Sequence, residues 1–313
     1  MARPKASRPN FASRNQTDPT LPTSPQGPWK LRKRNGLLVL ELEAFGRLRW
    51  LVYGFSTRAG GVSTLHGQSL LNLSYTDWDL NQRVEENRFR LQRALDASEF
   101  ALLPLRQIHS DLIELFTAPA ARTPHGDASL TSRPGLLLAI QTADCVPLLV
   151  VDPKRRAVAA VHAGWRGTLA RIAEKTVGRM QLHFGSKPRD LLAALGPSIG
   201  PCCYEVAAEF VTQFSSQFAD GASYFDSART GEEPNPLEWL SQMPPGHRPP
   251  PKTVHLDLRK ANRSQLLAAG LAERNLFISD LCTACHTDLF FSYRKEGPRS
   301  GRLMALVGIR RHQ

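Results

Sequence analysis

The stretch "GLLLAIQTADCVPLLVVD", Gly135–Asp152, followed closely by "AVAAVHAGW", Ala157–Trp165, decides the fold class. Both hold short apolar runs of the kind that form buried strands, and the polar "QTADC", Gln141–Cys145, interrupts the first. Upstream, "GLLVLELEAF" (36–45) and "LRWLVYGFSTR" (48–58) read as two more strands joined through a turn at Gly46, with "STRAGGVS" (56–63) as a Gly-rich loop. "NQRVEENRFRLQRALD" (81–96) sets Val84, Phe89, Leu91 and Leu95 among charges, the pattern of an amphipathic helix. "ALLPLRQIHSDLIELF" (101–116) returns to strand character and places His109 at a strand end or bulge. Downstream the pattern predicts a helix from Thr168 to about His183 and a buried strand in "LLAALGPSIG" (191–200). A helix is expected over "CYEVAAEFVTQFSSQF" (203–218), another over "LDLRKANRSQLLAAG" (256–270) that Gly270 ends, and a final strand. The expected class is α+β: one domain with a mixed β-sheet core flanked by helices.

Two segments stand apart. Residues 1–35 read as a disordered, basic, Pro- and Ser-rich tail; its wealth of Arg and Ser and scarcity of acids also suit an organellar transit peptide. Residues 226–252, crowded with Pro, Gly and charge, read as a surface insertion within a domain spanning 36–313. Residues 1–34 hold eight Lys and Arg against the lone Asp18, so +7 of the net charge of +12 lies there. The +5 left for the body suits small anionic substrates and does not call for a polyanion. The body also lacks the interleaved basic and aromatic stretches of nucleic-acid modules, so no specific nucleic-acid partner is expected. No apolar run has the length of a membrane span. The 5 cysteines are odd in number, and Cys202 and Cys203 are adjacent, which argues against a disulfide framework and for a reducing, cytoplasmic setting. Oligomeric state is not legible.

Chemistry is sought where polar residues break β runs. His162 lies at the end of a buried strand before Gly-Trp-Arg-Gly, where glycines allow a ligand close to the backbone and Arg166 can fork onto an anion. A lone histidine there is as readily a core residue bonded to a carbonyl. Cys145 holds an equivalent place, and alone reads as an inert buried thiol. His109 is the third. Two imidazoles and a thiolate form a natural Zn²⁺ set with a fourth position open, but spacings of 36 and 17 residues are not a local metal motif.

Resemblance adds to this. "GFSTRAGGVS" (54–63), "SLLNL" (69–73) with "VEENRFRLQ" (84–92), "LRQIHS" (105–110), "QTADCVPLLVVD" (141–152), "AVHAGWRGTLARI" (160–172), "LGPSIGPCCYEV" (195–206) and "FFSYRKEGPRSGRLMALVGI" (290–309) occur in order. Together they resemble the laccase-domain, or multicopper polyphenol oxidase, family, also called the peptidoglycan editing factor family. Its members are regarded as zinc-dependent purine nucleoside phosphorylases with adenosine deaminase activity. The resemblance implies a fold of the YfiH-like cysteine-hydrolase type and a metal held by His109, Cys145 and His162. It implies purine nucleosides (adenosine, inosine, guanosine, methylthioadenosine) and phosphate as substrates. Within the shared motifs, Cys145, Asp144 and Arg166 are the candidate catalytic residues, with Asp144 orienting a ligand histidine or carrying a proton. Arg58, Asn72 and Arg294 are the candidate substrate-binding residues. Roles for Cys203, Tyr204 and Glu205 are open. "SYTDWD" (74–79) and an extra leucine in "SLLNL" depart from the common pattern and leave substrate preference unsettled.

Rival readings remain. Two histidines and a cysteine also suit one copper, hence a single-copper polyphenol oxidase; but the 9 histidines include no His-x-His pair, as a trinuclear laccase centre needs. Cys145 with a histidine base would instead make a Cys-dependent amidase or hydrolase editing peptidoglycan precursors. Finally "CTACH", Cys282–His286, matches the c-type haem attachment pattern. With no export signal and no evident axial partner, it reads as a false positive, and Cys282 as a wall of the pocket.

Overall fold

In the computed structural model, residues 27–226 and 253–311 are described, and they fold as four layers, helix–sheet–sheet–helix. The first six-stranded sheet runs β1 (Trp29–Arg34), β2 (Leu37–Leu42), β3 (Leu51–Ser56), β17 (Leu303–Ile309), β9 (Leu136–Thr142) and β6 (Ala101–Pro104). The second runs β16 (Leu276–Ile278), β12 (Leu192–Leu195), β10 (Val146–Asp152), β11 (Ala157–Ala163), β8 (Ala128–Thr131) and β7 (Ile113–Leu115). Both are mixed: β6–β9, β7–β8 and β12–β16 pair parallel, the rest antiparallel. A hairpin of β4 (Ala59–Leu65) and β5 (Gln68–Leu70) and a small sheet of β13 (Glu205–Ala207), β15 (Thr253–Leu256) and β14 (Phe225–Asp226) complete the strands.

The unbroken apolar runs follow from burial on both faces. In β10, Leu149 and Val151 enter the core between the sheets while Leu148 and Val150 turn to the helix side. There they meet Ile172, Val177 and Met180 of the helix Ile172–Phe184 and Leu258 and Leu266 of the helix Leu258–Ala268. In β17, Leu303, Ala305 and Val307 face the second sheet, whereas Met304 and Leu306 pack beneath Leu91 and Ala94 of the helix Asn81–Ala94. Each fully buried Leu or Val contributes roughly 2 kcal/mol of transfer free energy. The helix Leu258–Ala268 starts where the Asp257 carboxylate accepts from the Arg259 and Lys260 backbone N–H groups at 3.0 and 3.1 Å.

Three expectations need correction. Residues 29–34 do not belong to a tail: they pair with β2, and Trp29 is buried against Phe55. Residues 1–26 of that tail, and 227–252 of the insertion, lie outside the described residues. The helix expected from Thr168 is two helices, Trp165–Leu169 and Ile172–Phe184, because Arg171 takes a left-handed conformation at φ 62°. In "CYEVAAEFVTQFSSQF", Glu205–Ala207 pairs with β15 before the helix Glu209–Gln217 begins. No helix among the described residues is long and apolar enough to cross a membrane.

Candidate metal centre and its cavity

The β10–β11 hairpin puts two of the three residues together. Val146 pairs with Ala163 and Pro147 with His162, so Cys145, just before β10, comes to the end of β11 that carries His162. His109 arrives on the loop between β6 and β7, in a left-handed conformation at φ 59°. The ligand atoms of His109, Cys145 and His162 all lie within 4.8 Å of one another.

One carboxylate organises this convergence. Asp127, just before β8, is wholly buried. Its Oδ1 accepts from the His109 N–H at 3.0 Å and lies 2.8 Å from His162 Nδ1. Its Oδ2 accepts from the N–H and Oγ–H of Ser110, both at 2.6 Å, and from the Ile108 N–H at 3.3 Å. Burial opposes ionisation of Asp127, yet the hydrogen bonds from His162 and Ser110 outweigh it and hold the carboxyl below its ordinary range. An ionised Asp127 can only accept, so the proton of His162 sits on Nδ1 and Nε2 is left for a metal. Burial likewise raises the Cys145 thiol, but neighbouring His162 and the hydrogen bond from His109 bring it down to about 6. For His162, burial is overcome by the Cys145 thiolate and by Asp127, and its pKa rises to about 9. The chain alone thus sets a thiolate against a protonated His162, whose Nε2 becomes a ligand atom when an ion displaces its proton.

The space above them is kept by glycine. A Cβ on Gly164 would stand 3.0 Å from Cys145 Sγ and 3.2 Å from His109 Cδ2. Three donors of the right types, one oriented by a buried carboxylate, around a space that a methyl group would fill, fit a tetrahedral ion with its fourth position open.

The centre lines a cavity of about 1200 Å³ whose wall carries four guanidinium groups, Arg88, Arg106, Arg294 and Arg302, against one carboxylate, Asp144. The Arg294 side chain donates to the Glu205 carbonyl at 2.8 Å and lies over the Tyr204 ring, and Arg302 lies over Tyr293. Both rings also line the cavity. The Gln107 side chain clamps the Gln141 backbone through two bonds of 2.7 and 2.8 Å, fixing the strand that leads to Cys145.

Of the sequence-predicted residues, His109, Cys145, His162, Asp144 and Arg294 meet at this cavity, and Arg58, Asn72 and Arg166 do not line it. Arg58 is 8% exposed and pairs with Glu296 at 2.8 Å, donates to the Thr287 carbonyl at 2.6 Å and stacks on Phe291. Asn72 is fully buried, donating to the Ser74 carbonyl and Asp79 and accepting from the Arg302 N–H at 3.0 Å, so it reaches the cavity wall only at the Arg302 backbone. Arg166 is exposed and stacks on Trp165. Asp144 does not orient a histidine: its oxygens accept from the Thr283 hydroxyl and the Arg294 N–H, both at 2.7 Å. Cys282 is not in the cavity wall; it packs behind it with Ile199. Asp127, Arg88, Arg106, Arg302, Gln107 and Gln141 were missed. Arg88, Arg106, Gln107, Gln141 and Arg302 stood inside quoted motifs, whereas Asp127 lies in residues 117–134, which carry no quoted motif.

Residues 52–310 match the family described as "Multi-copper polyphenol oxidoreductase laccase". The chain is 34% identical over 288 residues to purine nucleoside phosphorylase YlmD of Geobacillus stearothermophilus, covering 87% of this chain and 97% of the relative. It is 34% identical over 261 residues to adenosine deaminase RL5 of an unknown prokaryotic organism, covering 80% and 91% of the two chains. The crystal structure of Bacillus licheniformis hypothetical protein YfiH superposes with a TM-score of 0.76 at 30% identity, covering 90% of this chain and 99% of that chain.

Proposed function

This chain belongs to the multi-copper polyphenol oxidoreductase laccase family, and within it we propose a zinc-dependent purine nucleoside phosphorylase that also deaminates adenosine. The observation that carries the reading is the three-donor centre opening into a cavity walled by four guanidinium groups. The names of the relatives, phosphorylase and adenosine deaminase, agree with it.

His109, Cys145 and His162 would hold the ion, and when bound it supplies a Lewis acid that lowers the pKa of a water. Asp127 keeps the proton on His162 Nδ1. The Arg106, Arg294 and Arg302 guanidinium groups offset the charge of phosphate and can hold it beside the sugar, while Arg88 is already paired with Glu85 at 2.9 Å. An oxygen of hydrogen phosphate bonds to C1′ as the C1′–N9 bond breaks; the electron pair of that bond leaves with the purine, which takes up the proton that the phosphate gives up. Tyr204 and Tyr293 offer rings against which a purine can stack. Asp144 fixes the Arg294 backbone through its N–H. Adenosine, inosine, guanosine and methylthioadenosine all present the bond and the base that this arrangement accepts.

Purified protein given inosine and phosphate is expected to release hypoxanthine and ribose 1-phosphate, and given adenosine to release ammonia as well. Cys145→Ala is expected to lose the zinc held with His109 and His162, and both activities with it; normal turnover by a variant lacking that zinc would overturn the reading. A second reading has one observation in its favour: Cys145, His162 and Asp127 also have the order of a thiol nucleophile, base and orienting carboxylate. In that hydrolase the thiol stays open to alkylation in the native protein and amide substrates turn over, whereas bound zinc shields it. A single copper would instead show copper in metal analysis and a strong blue thiolate band.

A further inference from the structure

"CTACH" is absorbed neither by the cavity nor by haem chemistry, and the fold brings its two cysteines to two others. Cys202, Cys203, Cys282 and Cys285 place their four Sγ atoms all within 4.8 Å of one another. Cys285 Sγ is 3.5 Å from the sulfurs of both Cys202 and Cys203. All four are free thiols. Sulfurs bound tetrahedrally at about 2.3 Å from one Zn²⁺ stand about 3.8 Å apart, which is the scale of this cluster.

The backbone is arranged for such a site. Cys282 and Cys285 have the Cys-x-x-Cys spacing of a metal knuckle, closed by the Cys285 and His286 N–H groups donating to the Cys282 carbonyl at 3.2 and 3.0 Å. The partner loop bends at Gly200, whose carbonyl accepts from the Cys203 and Tyr204 N–H groups at 3.0 Å each. The Gly200 N–H donates to Cys282 Sγ at 3.2 Å, the type of bond that supports a thiolate ligand. A Cβ on Gly200 would lie 2.8 Å from Arg259 Nη2 and 3.2 Å from Cys202 Sγ, so glycine keeps the loop tight and leaves a guanidinium behind the sulfurs. The two loops are laced by the Ser198–Cys282 bridge and by the Thr283 N–H donating to the Ser198 carbonyl at 3.1 Å.

We propose that Cys202, Cys203, Cys282 and Cys285 form a second metal site, a closed tetrathiolate that binds one Zn²⁺ and braces the wall of the cavity. Each thiol gives its proton to solvent as it enters the ion's shell, and the ion has no open position. Its effect reaches the first centre by two short paths. Cys203 precedes Tyr204, which lines the cavity under Arg294. Thr283, next to Cys282, holds Asp144 at 2.7 Å, and Asp144 adjoins Cys145.

The site is independent of the reading of the first centre, and metal analysis separates them. The full-length protein, purified without chelator, is expected to carry one zinc that survives Cys145→Ala and is lost in the Cys282→Ser/Cys285→Ser variant. With both sites filled the wild type carries two. Where the double variant proves insoluble, Cys145→Ala protein reconstituted with Co²⁺ gives the test instead: thiolate-to-cobalt charge-transfer bands with the intensity of four thiolates. Cys145→Ala protein that holds no zinc and gives no such bands would overturn the proposal. So would a Cys282→Ser/Cys285→Ser variant with undiminished zinc, or disulfides among the four cysteines in protein purified anaerobically.

Discussion

His109, Cys145 and His162 gather at the rigid ends of strands, whereas Cys202, Cys203, Cys282 and Cys285 gather between two loops. The first group takes its order from paired β10 and β11 and from Asp127, which joins the His109 loop to the His162 ring. The second takes its order from backbone N–H groups and one β-bridge. Scaffold support without an ion leaves a coordination position open for chemistry. Loops that close their sulfurs on one another leave none, and the ion becomes part of the structure. On the two proposals above, Cys145 serves as a reactive ligand and the four clustered cysteines as structural ones.

The contrast breaks most visibly at Cys145. Cys145→Ala is expected to lower kcat/KM by about a thousandfold or more, since the Lewis acid goes with it, while circular dichroism shows the fold retained. Asp127→Asn comes next. It puts an amide N–H₂ against donors that needed an acceptor, and zinc affinity is expected to fall about 10–100-fold, read by competition with a chelator. Loss of affinity no greater than for a surface carboxylate would deny Asp127 its organising role. Arg302→Gln is expected to raise the KM for phosphate about tenfold while the KM for nucleoside moves little, as loss of one charge-assisted contact predicts. The smallest effect sharpens the comparison between thiols. In metal-stripped protein, alkylation of Cys145 should have its midpoint near pH 6, because the lowered pKa leaves it a thiolate above that pH and a thiol below it. Peptide mapping distinguishes this cysteine from the four others.

Legibility in the sequence followed the range of the interaction. β9, β10 and β11 were readable because burial on both faces writes itself as unbroken apolar runs. The three metal-centre residues could be found because each interrupts such a run. Asp127 could not: its meaning lies in backbone N–H groups of residues 108–110, in another segment. Arg58 and Arg294 stood on equal terms as arginines in shared motifs, and only their partners separate them. Arg58 is consumed by Glu296 and carbonyl oxygens, and Arg294 faces the cavity. The cysteine cluster was half-visible in "CTACH", but its other half lies about 80 residues upstream, and no local pattern joins the two.

The position of β17 has a consequence for biosynthesis. It pairs with β3 on one side and β9 on the other, so residues 303–309 are the central plank of the first sheet. During vectorial synthesis β3 and β9 leave the ribosome with facing edges bare and stay so for more than 150 residues of translation. The sheet closes only when this late segment threads between them, a long-range step that favours slow, post-translational completion and a need to keep those edges from other chains. A ribosome stalled before residue 303 should display a nascent chain that proteases cut within β3 and β9, and one stalled on a linker appended after residue 313, long enough to bring residue 309 out of the exit tunnel, should not.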